Sequence, residues 1–145
     1  MERALLLALA LGIGFVLSLQ PPINAGLARY SGVVESSAIS FTIGAIALLV
    51  ASFAIGGGSF VAALKAPPVF WLGGLLGATY VTLTIFLIPR IGALAMMASV
   101  IVGQMLASLL VDHYGILGVP VHPISWTRIV GVLIMLVGLR LALVK

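Results

Sequence analysis

Five long apolar runs leave this chain few ways to fold. They extend from Ala4 to about Ala28, Glu35 to Ile55, Phe70 to Ile88, Ala93 to about Val111 and Thr127 to Leu143. Each is about 17–25 residues long, the length an α-helix needs to cross hydrocarbon. Together they take up most of the 145 residues, of which 7% are charged; a soluble domain carries about 25%. Too few polar side chains remain to cover a soluble surface. The sequence therefore predicts an all-α integral membrane protein, a single five-helix transmembrane domain over 1–145 set in the lipid bilayer. Arg3 followed by a Leu/Ala run also fits a signal peptide. No convincing small-x-small cleavage site follows, and further spans come later, so the first run is read as a span.

The cations Arg3, Arg29, Lys65, Arg90, Arg128, Arg140 and Lys145 are scattered near span ends. That suits headgroup contacts and makes no nucleic-acid footprint. There is no cysteine, which excludes disulfides and thiolate metal sites. His113 and His122 are nine apart with no further ligands, so neither a metal nor a cofactor is expected.

Gln20-Pro21-Pro22-Ile23-Asn24 is the anomaly inside the first run. Gln20 and Asn24 are four apart and share a helix face. Pro21 and Pro22 carry no N–H, so the carbonyls of Leu17 and Ser18 lose their helical partners. An unsatisfied group in lipid is costly. A helix broken or kinked here, lined by protein or by water, is the expectation. Polar, broken helices at membrane depth recur as transporter substrate sites. The alternative is a structural kink whose amides bond to a neighbouring helix.

Other polar and small residues mark the remaining runs. Ser36, Ser37, Ser40, Thr42 and Gly44 crowd the first half of the second, where they permit close approach and bonding between helices. Trp71 opens the third as an interfacial aromatic, and Pro89-Arg90 closes it. Gly73, Gly74 and Gly77 form a packing face or a hinge, and Thr79, Tyr80, Thr82 and Thr84 follow at mid-depth. Gln104 lies near the middle of the fourth run; its amide donates and accepts, which suits a polar neutral or zwitterionic substrate, or an interhelical bond. Gly131 and Gly138, seven apart, fall on one packing stripe of the fifth.

The substrate-binding candidates are thus Gln20, Asn24, Tyr80, Ser99 and Gln104, with Pro21, Pro22 and the five glycines as packing or hinge residues. Asp112 and His113, at the far end of the fourth run, could together carry a proton. The other reading makes them a solvated pair at a helix end. Glu35 reads as a charge favoured by its helix N-terminus.

With five spans the termini fall on opposite sides. The N-terminal side then holds Arg3, Lys65 and Arg128, and the other side Arg29, Arg90, Arg140 and Lys145. Three against four is hardly a bias, and orientation is normally set by a cytoplasmic Lys/Arg excess. The count favours dual topology, or pairing with an oppositely inserted homologue. Opposed copies would reproduce the inverted-repeat plan of larger transporters with two chains.

Gln20 with Asn24, the Gly44 region, Gly73-Gly74 with Gly77, Pro89-Arg90-Ile91-Gly92, Gly103-Gln104 and Asp112-His113-Tyr114-Gly115 occur in an order that resembles the YdcZ-like family of the drug/metabolite transporter superfamily. The resemblance covers nearly the whole chain. It implies a five-helix half of a ten-helix inverted-repeat fold, assembled as an antiparallel homodimer or an oppositely oriented pair in the cell (inner) membrane. It implies transport of a small molecule but names no substrate. Small multidrug-resistance transporters, a related branch, carry a glutamate in the first helix. Gln20 and Asn24 are neutral here, which argues against carboxylate-based binding of cationic drugs.

A secondary transporter for a small polar metabolite, an exporter or exchanger working by alternating access, accounts best for these features. A dual-topology channel needs a continuous polar path, and the deep polar residues are few and separated. An accessory membrane subunit without transport is the third reading. An enzyme is disfavoured: Glu2, Glu35 and Asp112 are the only acids, and no paired carboxylates or Ser-His site lie at depth.

Overall fold

The structure is a computed structural model that describes residues 2–144. It is helical, with no strand among the described residues. Its elements are α1 (Glu2–Ser31), α2 (Val33–Ile55), the single turn α3 (Phe60–Ala63), a 3-10 turn (Pro68–Trp71), α4 (Leu72–Ile91), α5 (Ala93–Tyr114), a second 3-10 turn (Ile116–Gly118) and α6 (Trp126–Leu143). Five segments are long and apolar enough to cross a membrane: Arg3–Ser31, Val33–Ile55, Pro68–Ile91, Ala93–Tyr114 and Trp126–Leu143. A helix satisfies its backbone groups internally, which hydrocarbon demands.

The break expected at Pro21-Pro22 does not occur. α1 runs through both prolines as one helix of 30 residues. Two missing N–H groups free two carbonyls at most, and membrane helices tolerate this when neighbours pack around the site. The Pro21 ring is itself among the most completely buried side chains. Likewise Pro89 does not close its span: α4 continues to Ile91, and Arg90 supports this last turn by donating to the Phe86 carbonyl. Its guanidinium also lies 3.5 Å from the centre of the Phe86 ring. α5 extends past Val111 to take in Asp112 and His113.

Two joints are a single residue long. Gly32 links α1 to α2 with φ 95° and ψ 162°, and Gly92 links α4 to α5 with φ 80° and ψ 162°. That region of backbone space is essentially restricted to glycine. The other connections are longer. Ser59 caps α3 by accepting from the Ala62 N–H at 3.2 Å, and Ser125 caps α6 by accepting from the Arg128 N–H at 3.4 Å.

The chain divides into two compact units, one up to Arg90 and one from Ile91. In the first, α1 packs on α2, and α4 meets α2 where Thr82 bonds Ser37 and where Gly77 faces the Phe41 ring. Its buried residues are Ala25, Val81 and Ile85 with the polar Asn24, Ser36, Ser37 and Thr84. In the second unit α5 packs on α6, with Met96, Val102 and Val132 buried.

Candidate functional site

Because α1 is continuous, Gln20 and Asn24 do lie one turn apart on one face. Asn24 is 5% exposed and sits against α2, where its backbone carbonyl accepts a 2.8 Å hydrogen bond from Ser36 Oγ. Its side-chain Nδ2 is buried without a hydrogen-bond partner. The site lies seven residues before the end of α1, about 10 Å below the Gly32 bend. Gln20, one turn deeper, is half-buried. It borders a cleft of 260 Å³ with Ser40, Phe41 and Gly44 of α2. It also ends an open, almost wholly apolar cavity of 720 Å³ along the α1 face that begins at Ala8.

Hydroxyl groups of the same unit adjoin Asn24 through Ser36 and Gln20 through Ser40. Ser36 is fully buried and Ser37 nearly so. Ser37 Oγ donates to the Val33 carbonyl at 2.9 Å and accepts from Thr82 Oγ1 at 3.0 Å, tying α2 to α4. Thr84 is buried and bonded back to the Val81 carbonyl. The cluster holds only neutral amides and hydroxyls, so it can orient a polar group by hydrogen bonding but supplies no charge.

The other candidates fall elsewhere. Tyr80 is half-buried on α4. Ser99 and Gln104 belong to the second unit and are exposed on the single chain, with Ser99 Oγ bonded to the Ala95 carbonyl at 2.8 Å. The chain therefore gathers Gln20 and Asn24 into one face and does not bring Ser99 and Gln104 to them within a unit.

Asp112 and His113 are engaged at the end of α5. Asp112 Oδ2 accepts from Arg128 at 3.1 Å, and its backbone carbonyl accepts from the His122 N–H at 2.8 Å. His113 Nδ1 accepts from the Ile124 N–H at 3.2 Å. These bonds fold the loop before α6 back onto α5.

Of the glycines, Gly77 is in close packing: a Cβ there would meet the Phe41 ring at 3.3 Å. A Cβ at Gly73, Gly74, Gly131 or Gly138 would meet nothing within 4 Å. Gly131 and Gly138 border clefts shared with α5.

Ser36 and Ser37 make the interhelical bonds expected of the hydroxyl-rich half of the second run, whereas Arg128, expected at the headgroups, pairs with Asp112. Asp112 as the sole acid near the Arg128 end was the signal available for that pair.

Residues 5–141 match the family described as "Putative inner membrane exporter, YdcZ". The chain belongs to the YdcZ family. No curated protein and no solved structure matches it. As a YdcZ-family chain with five apolar spans it is a multi-pass protein of the inner membrane, in a family of membrane transporters and not of enzymes. The YdcZ match takes in the whole Gln20–Asn24 face, the hydroxyl cluster and the Asp112–Arg128 pair.

Proposed function

We propose that the chain is a secondary carrier, an exporter or exchanger, that moves a small polar metabolite by alternating access. Its working form is an antiparallel pair, made with a second copy of itself or with an oppositely oriented homologue. Each five-helix domain then serves as half of a ten-helix inverted-repeat fold.

The observation that carries this reading is the Asn24 amide, buried with Nδ2 unpartnered. An unmade hydrogen bond at such a site costs about 1–3 kcal/mol, a cost that a substrate acceptor entering from the Gln20 side would remove. The neutral donor set suits a polar neutral or zwitterionic solute and not a simple cation. Gln104, an amide exposed at mid-helix, supports the pair. Polar side chains within spans normally face a bundle interior or a wet cavity, and a second copy would supply one. Tyr80, Ser99 and Gln104 are the further side chains proposed to meet the solute in the pair. Asp112 and His113 are already engaged in closing their loop, which favours the structural reading over proton coupling.

Proteoliposome flux, screened over many small metabolites, tests the assignment. Saturable uptake of one solute, abolished by Gln20→Ala and by Gln104→Ala while the dimer persists in detergent, is expected. Wild-type flux in both variants would remove these amides from the site, and fast, linear flux would make the protein a channel.

A further inference from the structure

Beyond the proposed carrier site, the second unit holds a charged pair at the head of an apolar seam. Asp112 and Arg128 bound a cleft of 310 Å³ whose walls are Met105, Leu109, Val132 and Gly131, with Ser108 alongside. Their side chains remain 30% and 36% exposed. Arg128 uses one amino group, Nη1, for both of its bonds, to Asp112 Oδ2 and to the His122 carbonyl. Among the described residues, its Nη2 and Nε and the Asp112 Oδ1 make no further bond. The pair thus presents a free donor face and a free acceptor atom side by side.

The seam continues below the charges. A second cleft of 250 Å³ is lined by Ala98, Val102, Met135, Gly138 and their apolar neighbours. Its α5 residues follow Asp112, Leu109, Ser108 and Met105 at spacings of three and four, and its α6 residues follow Arg128, Gly131 and Val132 in the same way. The two clefts therefore share one stripe on each helix. From Asp112 to Ala98 the stripe runs about 21 Å, enough to cross one leaflet of about 15 Å. Below Ser108 it is wholly apolar. Tyr114 and Trp126, both strongly exposed, stand at the charged end, where interfacial aromatics belong.

We propose that this seam seats one aminophospholipid, of the phosphatidylethanolamine class. The lipid phosphate accepts from the free face of Arg128, the primary ammonium donates to Asp112 Oδ1, and one acyl chain lies along the stripe past Gly131 and Gly138. A free ammonium-and-anion zwitterion would share the headgroup chemistry. The apolar length of the seam commits the site to the lipid.

Native mass spectrometry of the purified protein, titrated with phosphatidylethanolamine, phosphatidylcholine and phosphatidylglycerol of matched chains, tests this. Phosphatidylethanolamine is expected to bind about tenfold more tightly than phosphatidylglycerol, the yield of one charge-assisted hydrogen bond. Asp112→Asn should erase that preference. Gly138→Leu, at a position with open space for a side chain, should lower occupancy by all three lipids without loss of helix. It keeps the test decisive if Asp112→Asn does not fold. Equal binding of the three lipids by the wild type overturns the proposal. So does unchanged phosphatidylethanolamine occupancy in Gly138→Leu, or full displacement of the lipid by soluble phosphoethanolamine, which would mark a site for a free zwitterion.

Discussion

Replacing Asn24 by leucine separates a substrate-facing amide from a structural one by the sign of the stability change. Leucine keeps the branching at γ and leaves the Ser36 bond intact, because that bond ends on the Asn24 backbone carbonyl. What it removes is a side chain that is 5% exposed and carries an unpartnered Nδ2. An unmade buried hydrogen bond costs about 1–3 kcal/mol, so Asn24→Leu should be more stable than the wild type by that amount. This corresponds to about 5- to 150-fold in the unfolding equilibrium. Denaturation by SDS in mixed micelles, followed by helical circular dichroism, reads the change directly. Proteoliposome flux of the transported solute should fall to background in the same variant. A variant less stable than the wild type would mean that the amide is already satisfied and holds the fold together. A stable variant with wild-type flux would take Asn24 out of the site.

Further outcomes follow from the joints and from the topology. Gly32→Ala and Gly92→Ala each force a side chain into a backbone region that only glycine accepts, and each should cost about 1–3 kcal/mol in the same titration. Gly44→Ala, on a helix with open space around it, should instead gain about 0.5–1 kcal/mol; equal stability of all three would refute the strain. Thr82→Val removes the bond to Ser37, and a loss near 0.6 kcal/mol, about the average for a hydrogen bond between membrane helices, is expected. A cysteine placed at Val144 should be labelled from both sides of the membrane in one population. Labelling from a single side, with no opposed homologue present, would exclude dual topology.

How far the sequence carried differs between the spans and the site. Five apolar runs yielded five helices, because length and hydropathy suffice to specify a helix in lipid. The continuity of α1 through Pro21-Pro22 was not legible. A local rule counts the two lost bonds, whereas the packing that buries Pro21 is tertiary. The shared face of Gln20 and Asn24 was legible from their spacing alone. The direction in which Gln104 points was not, since α5 is apolar or small on every side and its sequence carries no stripe to fix a rotation. The Asp112–Arg128 pair was also hidden: sixteen residues and a Pro/Gly-rich loop separate the partners, and only the fold of that loop brings them together.

The single-residue joint at Gly32 has a consequence for biogenesis. With no slack between them, α1 and α2 are expected to enter the bilayer as a helical hairpin. The tip driven to the far side carries Arg29 and Glu35, one charge of each sign, so its passage exerts little pull toward either face of the membrane.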